Sequence, residues 1–250
     1  MSVETTSIRA NVEAVRERIA RAAERAGRRP DEVTLVAVSK TFPVESIRQA
    51  YSAGVQHFGE NRVQEWEQKR PLLADLGATW HLVGHLQSNK AARAARLFHT
   101  VDSVDSLSLA QKLARAMAQI SAGPNSGIRT GGLASSSAGL GILIEVRLSP
   151  EETKSGVTET ELPVLAEGIL ALAHLDLRGL MGIPPYLHRA EQVRPFFRRL
   201  RELRDALTAR LKVPLPELSM GMSHDFEVGI EEGATQVRLG TAIFGQRASR

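Results

Sequence analysis

Residues 33–54, VTLVAVSKTFPVESIRQAYSAG, hold a strand, a turn and a helix in that order. Strand 33–39 is almost entirely β-branched or aliphatic, the composition of a strand buried on both faces. Pro43 precedes a helical stretch over 44–53, and Gly54 stops it. Between strand and helix stands Lys40, a long cation at the end of a run that is otherwise made for burial.

The same rhythm repeats on either side. VQHFGE (55–60) reads as a second strand, with a helix over 61–74, and WHLVGHL (80–86) as a third, with SNKAARAARL behind it. A fourth strand is expected over 98–102, followed by a helix capped by Asp105 with Leu109, Leu113, Met117 and Ile120 on its apolar side. LGILIEVRL (140–148) and LRGLMGI (177–183) are the fifth and sixth strands, each with a helix after it. The helix after the sixth repeats Val193, Phe196, Phe197, Leu200, Leu203 and Leu207, with Pro195 acceptable in its first turn. PELSM and TQVRLG supply the seventh and eighth strands, with GIEEGA helical between them. An extra helix at the start carries Ile8, Val12, Val15 and Ile19 and ends before Gly27 and Pro30.

Short strands that each lead into a helix predict a parallel sheet. Eight such units in 250 residues predict a single-domain (β/α)₈ TIM barrel over 1–250, with the extra N-terminal helix outside it. An open doubly wound sheet is the competitor, but no G-x-G-x-x-G follows the first strand. The Gly/Ser-rich stretch 121–139 has no periodicity and reads as a flexible loop insertion.

Composition narrows the function classes. Absence of cysteine excludes disulfides and thiolate metal sites and suits a reducing, cytoplasmic setting. The first 20 residues lack the apolar core of a secretory signal, and nowhere do 18 apolar residues run together, so no membrane association is expected. The formal net charge is +4, yet Arg16, Arg18, Arg21 and Arg25, and Arg198, Arg199, Arg201 and Arg204, are interleaved with acids. That is the pattern of a salt-bridged helix face rather than a nucleic-acid footprint.

In such a barrel the working groups sit where strands end. Those positions are Lys40; Glu60 and Asn61; His85 and Gln87; Asp102, Ser103 and Asp105; Arg147; Met181 and the Pro184-Pro185 pair; Ser219, Gly221 and Ser223; and Arg238, Gly240 and Thr241. SMGMS and RLGTA, on the neighbouring strands seven and eight, are small, glycine-containing and hydroxyl-bearing, which suits a phosphate. Lys40 is open to three readings: a surface residue, a salt-bridge partner, or an amine nucleophile whose pKa falls on desolvation. With a phosphate cradle across the same mouth, a carbonyl compound bearing a phosphate can be held at both ends. Pyridoxal phosphate is one such compound, and a sugar phosphate held by a Schiff-base aldolase is another.

The motifs VAVSKTFPVESIRQAYSAGVQHFGENRVQE, WHLVGHLQSNK, VDSVDS, TKSGV, LRGLMGIPP and SMGMSHDFEVGIEEGATQVRLGTAIFG occur in this order over nearly the whole chain. In these the chain resembles the YggS/PROSC family of pyridoxal phosphate homeostasis proteins, relatives of the N-terminal barrel of alanine racemase. The resemblance implies that pyridoxal 5'-phosphate is the cofactor and that Lys40 holds it as a covalent aldimine. It further implies that Ser219, Gly221 and Ser223, with Gly240 and Thr241, hold the phosphate and that Arg238 faces the pyridine nitrogen. Asn61 is expected to line the ring or its hydroxyl. His85 is a further candidate, with a buried packing histidine as the alternative. Two departures stand out: His224 where the family commonly has an acid, and Val146-Arg147-Leu148-Ser149 where it has an Asn-Val-Ser-like stretch. The second brings a cation towards the barrel mouth.

Racemisation needs a base on each face of the substrate. In two-domain racemases the second is a tyrosine from a C-terminal domain, and this chain ends at Arg250, shortly after strand eight. Its tyrosines are Tyr51, on a helix, and Tyr186, which follows the proline pair and is the candidate for an enzymatic role. The expected function is therefore a monomeric carrier that buffers pyridoxal phosphate or delivers it to apo-enzymes. A racemase or other weak pyridoxal-phosphate enzyme is the alternative.

Overall fold

The computed structural model describes residues 7–122, 139–149 and 155–246. Helix α1 (Ile8–Arg25) comes first, then β1 (Thr34–Val38), α2 (Val44–Ser52), β2 (His57–Glu60), α3 (Val63–Lys69) and β3 (Thr79–Leu82). The alternation continues through α4 (Ala91–Leu97), β4 (Thr100–Val104), α5 (Leu107–Ala122), β5 (Leu140–Arg147), α6 (Leu162–Leu170) and β6 (Leu175–Ile183). It ends with α7 (Arg194–Leu211), β7 (Glu217–Ser219), α8 (Phe226–Glu231), β8 (Gln236–Leu239) and α9 (Thr241–Phe244). The strands pair in chain order, all parallel, and β8 returns to β1 with Gln236 opposite Thr34. This is the predicted closed barrel. Most of the 121–139 stretch, and Thr153-Lys154 of TKSGV, lie outside the described residues.

The apolar layer lies between strands and helices. Trp66 of α3 stacks on Trp80 of β3 with ring centroids 3.7 Å apart, and its indole N–H donates to the Leu97 carbonyl at 2.8 Å. Helix α7 buries Phe197, Leu200 and Leu207, the spacing read from sequence, and Pro195 sits in its first turn. Each such side chain contributes about 2 kcal/mol of burial. Helix α1 packs over α8, α9 and α2 and buries Val12, Val15 and Ile19. Its Arg18 pairs with Glu227 and caps the Phe226 ring at 4.5 Å. The arginines of α7 are paired as expected: Arg198 and Arg201 with Glu232, and Arg199 with Glu159. Among the described residues no helix is long and apolar enough to cross a membrane.

Several boundaries differ from expectation for identifiable reasons. The third strand stops at Leu82, not 86, because Gly84 turns onto the backbone of Asn61; a Cβ there would lie 2.4 Å from the Asn61 carbonyl oxygen. The helix expected over 61–74 breaks into a 3₁₀ turn at Arg70–Leu73, where Pro71 lacks the N–H to continue it. The cap of α5 is Ser106 rather than Asp105: its Oγ accepts from the Leu109 N–H at 3.4 Å, while Asp105 turns to His85. Helix α9 was not foreseen.

The lumen is polar instead of the aliphatic layering usual in such barrels. His81 and Thr100 contact Asp102, the Gln236 amide donates to Asp102 Oδ2 at 2.7 Å and to Ser219 Oγ at 2.8 Å, and Arg238 continues the chain upward. Burial opposes ionisation of Asp102, but His81, Thr100 and Gln236 outweigh it and hold the carboxyl below its usual range. This network joins the floor of the barrel to its mouth.

Candidate cofactor site

Lys40 follows β1 and Ser39 and is half-buried at the C-terminal mouth. The next residue, Thr41, has φ +68°, an unusual conformation for a β-branched side chain. The turn around Lys40 adjoins α9: Phe42 stacks on Phe244, the last residue of that helix, with centroids 4.8 Å apart. Gly240 sits against β1 as well, since a Cβ on it would lie 3.5 Å from the Val38 carbonyl oxygen.

The SMGMS and RLGTA turns form one unit. Ser223 Oγ accepts from the Ala242 N–H at 3.2 Å, so the turn after β7 is tied to the first turn of α9, which Gly240 and Thr241 open. Gly221 has φ +92°, and its α-carbon packs so closely on Phe226 that a Cβ would lie 2.8 Å from the Phe226 α-carbon. Asp225 accepts from the Met222 N–H at 2.7 Å and braces the same turn.

Arg238, on β8, is 4% exposed. One guanidinium nitrogen donates to Ser219 Oγ at 2.5 Å and the other to the Gly182 carbonyl at 3.0 Å. Burial weakens its hold on the proton, against the pull of Asp102, Glu145 and Asp225. Ser219, expected in the phosphate cradle, faces the lumen. It is fully buried, and its hydroxyl accepts from both Arg238 and Gln236. The reason is register: Ser219 pairs with Gln236 across β7 and β8 and points into the lumen. Ser219 therefore orients Arg238, and the exposed edge of the turn belongs to Ser223.

Asn61 and His85 share a cleft with Arg62, Gln64, Gln87 and Lys90 beside the mouth. His85 is no packing histidine: its side chain is 53% exposed and its Nδ1 lies 3.3 Å from Asp105. Tyr186 is 77% exposed, and its ring centroid lies 5.4 Å from that of His224 on the rim. Arg147 donates to the Gly156 carbonyl at 3.2 Å and so clasps the segment after β5.

Two groups of the mouth were missed from sequence. Glu145, on β5, is 7% exposed with Oε2 unpaired, and its carboxyl is pushed up to about 6 by burial and by Asp105, with Arg238 and His85 opposing. A lone acid inside LGILIEVRL was the available signal. Lys69 reaches back from α3 to Ser39, Glu60 and Glu65; its spacing from Glu65 was visible, its link to β1 was not.

An amine at the mouth, a hydroxyl-lined glycine turn suited to an anion, and a buried guanidinium with two anchors form a donor set that fits a phosphorylated aldehyde carrying a ring nitrogen. Comparison with known proteins leads to the same class of ligand. Residues 10–248 match the family model for the N-terminal domain of alanine racemase. The pyridoxal phosphate homeostasis protein of Aquifex aeolicus is 46% identical over 93% of this chain and 95% of its own, and that of Pseudomonas aeruginosa is 44% identical over 97% and 96%. The structure of PipY from Synechococcus elongatus with PLP bound has a TM-score of 0.76 at 37% identity, covering 91% of this chain and 100% of that one. An alanine racemase from Clostridium difficile, at 14% identity and TM-score 0.71, shares the barrel fold over 98% of this chain and 58% of its own. The chain belongs to the YggS/PROSC family of pyridoxal phosphate homeostasis proteins, within the wider group defined by the N-terminal domain of alanine racemase.

Proposed function

We propose that this chain binds pyridoxal 5'-phosphate through Lys40 and serves as a monomeric, cytoplasmic carrier that buffers the cofactor or passes it to apo-enzymes. The observation that carries the reading is the convergence of Lys40, the joined Ser223–Thr241 turns and Arg238 on one mouth. Bound there, the cofactor supplies an aldehyde that an amine can hold reversibly as a Schiff base. Lys40 provides that amine. Ser223 and the backbone around Gly221, Gly240 and Thr241 receive the phosphate, and Asn61 lines the ring. His85, on the rim, is the outermost of these groups.

Arg238 gives the site its character. A guanidinium keeps its proton and can only donate, so it leaves the pyridine nitrogen neutral. The electron-withdrawing power that racemases and transaminases draw from the ring is then low, which suits storage better than turnover. Tyr186, the candidate second base, is turned towards His224 on the rim. These features favour a carrier over a racemase.

Borohydride reduction of the loaded protein, followed by peptide mass spectrometry, tests the assignment. The reading expects the phosphopyridoxyl adduct on Lys40. An adduct distributed over other lysines, with Lys40 unmodified, refutes it. Sustained racemisation of an amino acid, lost in Tyr186→Phe, refutes the carrier role and leaves cofactor binding standing.

A further inference from the structure

Both residues flanking Lys40 are gripped from below by a single side chain system. Lys69 Nζ donates to the Ser39 carbonyl at 2.9 Å, to Glu60 Oε1 at 2.9 Å and to Glu65 Oε1 at 2.7 Å. All three ammonium hydrogens are thus engaged. The same Glu65 oxygen accepts from the Thr41 N–H at 2.5 Å, and Ser39 Oγ donates to Glu60 Oε1 at 2.8 Å. Ser39 N–H is fixed to the Gly59 carbonyl at 2.9 Å, so the backbone before and after Lys40 is tied down.

The investment in this clamp is high. Glu60 is fully buried with Oε2 unpaired, and burial pushes its carboxyl up against the pull of Lys69 and Ser39. Burial also works against Glu65, yet the bonds from Lys69 and Thr41 hold it below the usual range. Thr41 itself, at φ +68°, occupies a strained backbone region that persists only where the surroundings enforce it. A loop needing only to connect β1 to α2 has no use for a strained threonine whose N–H is held by Glu65, a carboxylate itself fixed by Lys69.

We propose that Lys69, with Glu65, is a positioning residue for Lys40: it locks the Ser39 and Thr41 backbone so that the Lys40 amine is aimed into the mouth before any aldehyde arrives. The proposal rests on Lys40 being the cofactor lysine. Lys69 is barred from that chemistry by its own three bonds.

Two measurements test it: the rate at which the cofactor band appears on mixing, and amide exchange of Thr41 in cofactor-free protein. Glu65→Ala, which removes the charge-assisted bonds to the Thr41 N–H and to Lys69, is expected to slow capture about 10-fold and speed Thr41 exchange by about 10-fold or more. Glu65→Gln keeps an acceptor for Thr41 and should restore both towards wild type at an unchanged unfolding midpoint. Lys69→Met paired with Glu60→Gln, which avoids stranding a buried charge, should reproduce the Glu65→Ala defect. If that pair fails to fold, Glu65→Ala decides alone, because its side chain is 25% exposed. Wild-type capture rates in Glu65→Ala and in the Lys69→Met, Glu60→Gln pair overturn the proposal, whether or not Thr41 exchange changes. A wild-type protein that never captures the cofactor fails the proposed function instead, and Thr41 exchange then decides the clamp.

Discussion

Replacing Glu145 with glutamine removes a charge from the barrel mouth while keeping its shape. In the folded protein this carboxyl is moved from its usual 4.5 to about 6, chiefly by burial and next by Asp105, with Arg238 and His85 pulling the other way. A raised folded pKa means that ionisation is harder folded than unfolded. Glu145 therefore costs nothing below about 4.5, costs progressively more between about 4.5 and 6, and carries its full penalty above about 6. At about 1.36 kcal/mol per pH unit the penalty is about 2 kcal/mol. Glu145→Gln should accordingly be more stable than wild type by about 2 kcal/mol at pH 8 and no different at pH 4. For a chain of this size that is a rise in unfolding temperature of about 4–8 °C at pH 8. The assay is denaturant or thermal unfolding of the cofactor-free protein at both pH values, since bound cofactor would add its own stabilisation. Equal stabilities at pH 8, or a less stable variant, would refute the placement of Glu145 as a desolvated, unpaired acid.

Other outcomes follow from the same geometry. His57, at the floor, is pushed down to about 4 by burial and then by His81, so its neutral form contributes stability above about 6.5 that is lost as pH falls through about 4. His57→Asn should flatten that acid limb by up to about 3 kcal/mol, read by urea titration at pH 7 and pH 4; an unchanged slope counts against it. Gly221→Ala forces a side chain onto φ +92° and against Phe226, and should cost about 2 kcal/mol of stability together with most of the cofactor affinity. Unphosphorylated pyridoxal should bind about 100-fold more weakly than pyridoxal phosphate, since it forfeits charge-assisted bonds to the Ser223 and Thr241 turns. Equal affinity in competition titrations would remove the anion site from the account.

Much of this architecture was legible because parallel βα units bring every strand end to one rim. Reading Lys40, Asn61, Ser223 and Arg238 as strand-end residues was enough to gather them at one mouth. The direction of each side chain was not legible in the same way. Ser219 belongs to a three-residue strand whose inward face is set by pairing with Gln236, a partner 17 residues away, so its hydroxyl accepts from Gln236 and Arg238 in the lumen. The Lys69 clamp spans β1, β2 and α3, and only its Glu65–Lys69 helix pair is local in sequence. The buried His81–Asp102–Gln236 network also joins residues from β3, β4 and β8, whose polar character reads in isolation as exposure. Local pattern predicts the frame; long-range polar contacts decide which atoms within it are available.

The central claim is that Lys40 holds pyridoxal phosphate. Its most direct test is the visible absorption spectrum of the purified protein with added cofactor, compared with Lys40→Ala. The account predicts a protonated Schiff-base band in wild type that is absent from Lys40→Ala, while the variant keeps its fold by circular dichroism. A band of equal intensity in both proteins, or none in wild type at saturating cofactor, would contradict it.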